Sequence, residues 1–316
     1  MAHYLVTGGA GFIGSNLVDA LVADGHSVRV LDNLTTGRRA NLAHLQGRID
    51  FVEGDIRAYD QVLAAMQGID YVLHQAALPS VPRSVQDPIT SNAVNVDGTL
   101  HVLAAAQTAG VRRVVMASSS SVYGSNPALP KQETMCPQPK SPYAVSKLAG
   151  EQYGQVFWQV YGLETVALRY FNIFGPRQDP RSAYAAVIPR FIRAMLAGEP
   201  VMIHGDGQQS RDFTYIDNAV QANLLACTAP EAAGSVLNIA CGSRYTLLEL
   251  VEQLAAILGR SPQVVHTPSR AGDVPHSQAD IERARTLLGY APQVDFVEGL
   301  RRTAAWYLVE EPGQHG

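Results

Sequence analysis

The stretch Thr7-Gly8-Gly9-Ala10-Gly11-Phe12-Ile13-Gly14 constrains this chain more than any other. It follows the extended apolar run His3-Tyr4-Leu5-Val6 and opens into residues 15–22, where apolar residues recur at helical spacing. Strand, glycine turn and helix are the setting of a dinucleotide-binding fingerprint. Glycine permits the tight turn and lets bare backbone N–H groups approach a pyrophosphate. The helix N-terminus behind them adds unpaired donors and partial positive charge. Two registers fit, Gly9-x-Gly11-x-x-Gly14 and Gly8-x-x-Gly11-x-x-Gly14. The next strand, Val28-Arg29-Val30-Leu31, ends on Asp32. A carboxylate there can accept both ribose hydroxyls of NAD and repels the 2′-phosphate of NADP. The pattern predicts an NAD-binding protein.

Composition excludes several classes. The chain has 316 residues, of which 47% are hydrophobic and 16% charged, which suits a globular α/β protein and argues against disorder. A net charge of −4 leaves no electrostatic footprint for nucleic acid or an anionic membrane. The three cysteines, Cys136, Cys227 and Cys241, have no metal-ligand spacing. They read as a reduced cytoplasmic set, and no metal site is expected. No signal-peptide pattern and no apolar run near the ~20 residues of a membrane span are evident.

Beyond Asp32, residues 33–39 form a polar loop suited to covering an adenosine. Strands are predicted over 49–53, 70–74, 113–117 and 166–172, and a long helix over 87–109 carries Asn92 and Asn95. Gln75-Ala76-Ala77 closes the strand at 70–74 with small residues, which allow close approach of a cofactor. The alternation predicts a doubly wound parallel sheet of Rossmann type over residues 1–174, with ligands at the carboxyl ends of its strands. The rhythm breaks after Phe174-Gly175-Pro176. Residues 175–316 then read as a smaller α/β substrate lobe with helices over 184–197, 246–258 and 279–288. A segment near 211–240 returns to the first sheet.

Ser141-Pro142 marks a helix start, with serine as N-cap and proline at the first turn. Tyr143 and Lys147, four apart, share a face of that helix. A free phenol, pKa ~10, is a poor base at neutral pH. A nearby ammonium and a positive nicotinamide ring favour the phenolate and bring it into range for proton transfer. Ser118 to Ser121 lie at the end of a neighbouring strand. His74 and His204 read as structural rather than catalytic.

The glycine loop, the serine cluster and Tyr143-x-x-x-Lys147 together resemble the extended short-chain dehydrogenase/reductase family, over nearly the whole chain. Within it the nucleotide-sugar epimerases match best, above all bacterial UDP-N-acetylglucosamine 4-epimerases of surface-polysaccharide pathways. Arg169-Tyr170-Phe171-Asn172-Ile173-Phe174-Gly175 and Ser210-Arg211-Asp212-Phe213 carry much of that likeness.

The resemblance implies roles. Ser119 would bond the sugar O4, Tyr143 would be the base, and Lys147 would hold the nicotinamide ribose. Gly8, Gly11, Phe12, Ile13, Gly14, Asp32, Asn33 and Gly37 fall at positions lining NAD. So do Asp55, Ile56, Gln75, Ala76, Ala77, Asn95 and Phe171. Asn172, Val187, Arg211, Arg270 and Asp273 fall at positions gripping UDP. Ser277, four residues past Asp273, stands where glucose- and galactose-restricted enzymes carry a tyrosine. A small residue there leaves room for an N-acetyl group.

The implied reaction is C4 epimerisation of a UDP-hexose through a 4-keto sugar, with UDP-GlcNAc and UDP-GalNAc preferred. UDP-glucose/UDP-galactose and UDP-glucuronate 4-epimerases are the alternatives, and a non-catalytic NAD-sensing regulator is a remote one. Related 4,6-dehydratases place Asp-Glu after the O4-contacting hydroxyl, and UDP-glucuronate decarboxylases also use a carboxylate there. Here Ser120 and Ser121 occupy those places, so elimination lacks its acid and base. The family also implies a homodimer, paired through the helices at 87–109 and after Tyr143.

Overall fold

Short runs of aliphatic and β-branched residues, each followed by an amphipathic segment, build the strand–helix alternation seen here. The computed structural model describes residues 1–180, 185–268 and 274–310. The chain begins β1 (His3–Thr7), α1 (Phe12–Ala23), β2 (Ser27–Asp32), β3 (Asp50–Glu53), α2 (Tyr59–Ala65) and β4 (Tyr71–His74). Two short helices follow, α3 (Val81–Gln86) and α4 (Pro88–Asn92), then α5 (Gly98–Ala109), β5 (Arg113–Ser119), α6 (Pro142–Tyr161) and β6 (Glu164–Tyr170). Next come β7 (Ile173–Phe174), α7 (Val187–Ala197), β8 (Val201–His204), β9 (Ser210–Arg211), β10 (Thr214–Tyr215) and α8 (Ile216–Thr228). The chain closes with β11 (Ser235–Ile239), β12 (Tyr245–Thr246), α9 (Leu247–Leu258), β13 (Val264–Thr267), α10 (Glu282–Leu288) and α11 (Phe296–Glu310).

Seven strands form one sheet in the order β11-β6-β5-β4-β1-β2-β3, every pair parallel. Parallel strands are covered on both faces and therefore read as nearly continuous apolar runs. One face packs under α1 and α8, through Leu17, Leu21, Ala222 and Ala226. The other packs under α2, α5 and α6, through Val62, Leu103, Ala106 and Phe157. The order reverses between β1 and β4, where Thr7 stands level with both Leu31 and His74. A third cluster, including Phe174, Phe191, Ile203, Phe213, Leu250 and Phe296, is the core beneath α7, α9 and α11.

The helix expected over 87–109 is a rod in three pieces. Asp87 caps α4 by accepting from the Thr90 N–H, a π-helical stretch spans Ala93–Asp97, and α5 continues to a left-handed Gly110. Helix α3 escaped the sequence reading, although Ser80 caps it and Pro82 stands in its first turn. The segment returning to the sheet is β11, paired with β6 from Ser235↔Val166 to Ile239↔Tyr170.

Candidate active site

The glycine loop is built by close approach. Gly8 has φ +69°, and a Cβ there would meet the Ala76 backbone at 2.7 Å; a Cβ on Gly14 would lie 2.1 Å from the Gly8 carbonyl oxygen. Gly9 instead faces Val30 of β2 and does not line the cavity in front of the loop, whereas Gly8, Gly11 and Gly14 do. The second register is thus the one whose three glycines face the cavity. Gly11 is the N-cap of α1 and offers no side-chain cap, and the first-turn residues Phe12, Ile13 and Gly14 line that cavity, where their N–H groups are free for an anion.

The cavity measures about 930 Å³ and runs along the carboxyl ends of the strands. At one end Asp32 closes β2. Its two oxygens accept the Ala10 N–H at 2.9 Å and the Leu34 N–H at 2.8 Å, leaving further lone pairs toward the cavity. Burial pushes this carboxyl up, and those two backbone bonds hold it down. Gly37 passes so close that a Cβ would sit 2.8 Å from the Asp32 carboxylate. Phe12, Ile13, Asn33, Ile56, Gln75, Ala76 and Ala77 line the same space.

At the other end stand Ser119, Tyr143 and Lys147. Ser119 is the last residue of β5, and Tyr143 and Lys147 project from the first turns of α6. Ser141 caps that helix by accepting the Ala144 N–H at 3.1 Å, and the Tyr143 N–H is taken up by Ser84 Oγ of α3 at 3.0 Å. Burial pushes the Tyr143 phenol up, while a hydrogen bond with the Ser119 hydroxyl favours its ionised form. Lys147 Nζ donates to the Ala117 carbonyl at 2.9 Å and lies 5.9 Å from the Tyr143 ring centroid. Burial pulls Lys147 down to about 8, and Glu151, one helical turn on, works against that by favouring the ammonium. Glu151 is itself held by Arg169, with both contacts at 2.8 Å, and by the Ser118 hydroxyl at 2.5 Å.

A second cavity of about 280 Å³ adjoins the first through Asn172, Ile173, Ala185 and Ala186. Val187 and Arg211 line it, together with His204, Gln209 and Phe191. Arg211 Nη1 donates to the Ser210 carbonyl at 2.9 Å and the Pro275 carbonyl at 3.1 Å.

Four expected site residues stand elsewhere. Phe171 is fully buried in the sheet core. Asn95 spends its amide on Leu78, accepting its N–H at 2.8 Å and donating to its carbonyl at 3.1 Å, and on Ser146 Oγ at 3.1 Å. Asp55 pairs with Arg57 and Asn33 beside the cavity, which its neighbours Gly54, Ile56 and Arg57 line. The Arg57 and Asn33 contacts hold its carboxyl down at about 2. Ser277 donates its backbone N–H to the Ser210 carbonyl at 3.0 Å and lines neither cavity. Arg270 and Asp273 lie outside the described residues.

Sequence reasoning named Asn172 but missed other parts of the wall. Among the described residues, the four non-glycine residues with positive φ are Leu34, Ser80, Asn172 and Arg177, and all four line the large cavity. Such strained backbone gathers at ligand clamps, where surrounding structure over-determines it. The loop of Arg177, Gln178 and Asp179 also forms wall, tied to the cofactor half by Arg38–Asp179 at 2.6 Å and by an Arg177–Asp19 ion pair. The composition of Arg177-Gln178-Asp179-Pro180 reads as a loop, but nothing in it shows which cavity it faces.

A protein so built is a dinucleotide-dependent enzyme of Rossmann type. Comparison with known proteins takes this further: the profile of the NAD dependent epimerase/dehydratase family matches residues 4–240, and the chain belongs to that family. It is 42% identical to a UDP-glucose 4-epimerase of Mycolicibacterium smegmatis, over 96% of this chain and 97% of that one. Among solved structures it is similar to a UDP-N-acetylglucosamine 4-epimerase from Methanobrevibacter ruminantium in complex with UDP-N-acetylmuramic acid (TM-score 0.94, 41% identity, 98% and 99% coverage). A UDP-glucose 4-epimerase with UDP-glucose from Thermotoga maritima gives a TM-score of 0.92 at 38% identity, covering 97% of this chain and 99% of that one.

Proposed function

We propose that this protein interconverts the C4 epimers of a UDP-hexose with tightly held NAD. The observation that carries the reading is the set Ser119, Tyr143 and Lys147 in one cavity wall whose described carboxylates are only Asp32 and Asp179. Asp32 belongs to the nucleotide end, and Asp179 pairs with Arg38. Ser120 and Ser121 follow Ser119, so the wall offers no acid–base pair for elimination at C5. Epimerisation needs none. This separates the reading from the dehydratases and decarboxylases of the same fold.

The cradle fits NAD. Backbone N–H groups at the start of α1 would meet the pyrophosphate, which the side-chain-free Gly8 and Gly11 let come close while their own N–H groups are held by the Leu31 and Gly8 carbonyls, and Asp32 would meet the adenosine ribose hydroxyls. When bound, the cofactor supplies an acceptor for the C4 hydride and gives it back. Tyr143 removes the O4 proton as phenolate and returns it at the end, so no proton is gained or lost over the cycle. Ser119 holds O4 by a hydrogen bond. Lys147, as ammonium, favours the phenolate and binds ribose. Arg211 supplies charge and a planar fork of donors for the UDP diphosphate. The keto sugar turns between the two half-reactions and presents its other face.

The preferred pair is UDP-GlcNAc and UDP-GalNAc, a reading supported by the likeness to the UDP-N-acetylglucosamine 4-epimerase from Methanobrevibacter ruminantium and not by Ser277, which lines neither cavity. The oligomer is a homodimer, supported by exposed apolar residues Val145, Val156 and Val160 at helical spacing on α6, beside Ile89 on α4. The working protein is placed in the cytoplasm; among its described residues no helix is long and apolar enough to cross a membrane. Purified protein incubated with a panel of UDP-hexoses, and products resolved chromatographically, tests the reading. Interconversion of 4-epimers without added cofactor is expected, fastest for the acetylated pair. Release of water or carbon dioxide, or no turnover of any UDP-sugar, defeats it.

A further inference from the structure

Behind the cavity, a file of buried polar side chains joins the glycine loop to the helix that carries Tyr143. The Ala76 N–H donates to Thr7 Oγ1 at 3.4 Å, and Thr7 Oγ1 lies 2.7 Å from His74 Nδ1. His74 Nε2 lies 3.0 Å from Thr99 Oγ1, which donates its own proton to the Asn95 carbonyl at 2.7 Å. Asn95 Nδ2 donates to Ser146 Oγ at 3.1 Å, and Ser146 donates to the Tyr143 carbonyl at 2.8 Å. Thr7, His74, Asn95, Thr99 and Ser146 are each at most 6% exposed.

The directions can be assigned by counting protons. Thr99 has one hydroxyl proton, already given to Asn95, so toward His74 it accepts. Nε2 therefore carries the imidazole hydrogen. Burial pushes His74 down to about 3, so the ring is neutral and Nδ1 is an acceptor. Thr7 then donates to Nδ1 and accepts from Ala76. Each of these side-chain groups has a partner, and a single tautomer satisfies the file.

We propose that His74 is a positioning residue for Tyr143. Held as the Nε2–H tautomer, it ties the floor at Thr7 and Ala76 to α6 and fixes where the tyrosine stands over that floor. The inference rests on Tyr143 being the base of the proposed reaction. Asn95, also implied as a cofactor contact, serves here as the clamp that passes the constraint from α5 to both Leu78 and Ser146.

The test compares the NAD-loaded parental protein with His74→Leu, His74→Gln and Thr99→Val. Two quantities are read: kcat and KM on the UDP-hexose turned over fastest, and the Tyr143 phenol titration. The titration is the ultraviolet difference between each protein and its Tyr143→Phe counterpart. His74→Leu and Thr99→Val should lower kcat about tenfold or more with KM within about threefold, since small misplacements of a reacting group are costly. The phenol midpoint should rise in both, because the ring moves away from Lys147. His74→Gln, which keeps an N–H toward Thr99, should recover most of both. A kcat within about twofold of parental, or an unmoved phenol midpoint, overturns the inference. If His74→Leu does not fold, Thr99→Val alone decides. If the parental protein turns over no UDP-hexose, the functional reading fails, and the titration still answers for His74.

Discussion

At the residue scale, two ionisable groups govern the chemistry, and their surroundings push them in opposite senses. Burial raises the Tyr143 phenol and lowers the Lys147 ammonium, so each is displaced toward its neutral form. Tyr143→Phe keeps the ring and deletes the oxygen. It should purify with near-parental NAD content yet lose about a hundredfold or more in turnover; parental turnover in that variant would remove Tyr143 as the base. The Glu151 carboxylate is what supports the Lys147 charge. With its pKa near 8, Lys147 is protonated below that pH and neutral above it, so activity that depends on the ammonium is lost as pH rises through about 8. Replacing Glu151 by Gln removes the negative charge, lowers Lys147 further and moves this alkaline limb to lower pH. A kcat/KM profile whose alkaline limb stays in place or moves upward contradicts that account.

At the element scale, the start of α1 and the strand ends around it hold the cofactor. Gly14→Ala puts a methyl against the Gly8 carbonyl oxygen, and the cradle can accommodate it only by opening. The variant should purify largely free of NAD while remaining folded; cofactor content equal to parental, measured by extraction after denaturation, would show that the loop has slack. Much of this element was legible beforehand. The glycine spacing, Asp32 at a strand end and the Ser141-Pro142 helix start are local signals, each fixed by backbone geometry that only certain residues adopt. Asn95 and Phe171 were not legible as inner residues. Which way a side chain points depends on the π-helical stretch at Ala93–Asp97 and on β11 covering β6, and neither leaves a periodic mark. Ser277 fails for a related reason: its neighbour across the fold, Ser210, lies far off in sequence.

At the scale of the whole molecule, the apolar stripe on α6 is the feature that an isolated chain leaves unexplained. Val156 is 46% and Val160 66% exposed, on the same helix that carries the proposed base. Exposed aliphatic residues at such spacing are what the proposed homodimer would cover. Val156→Glu should shift sedimentation from dimer toward monomer at micromolar concentration. A parental protein that sediments as a monomer refutes the dimer.

The placing of β11 has a consequence for how the chain comes off the ribosome. Strand β6 is finished at Tyr170, but its outer neighbour starts only at Ser235. Until then the nascent sheet carries a bare row of amide and carbonyl groups along an apolar strand, an invitation to pair with any other growing chain. Everything made in the interval, including α7, α8 and all the lining of the second cavity except Leu247, emerges before the sheet is sealed. A fragment ending at residue 174 would keep the glycine loop and Tyr143 yet expose that edge permanently. Such a fragment should aggregate during expression, and adding the strand back as a separate peptide should be the way to recover it.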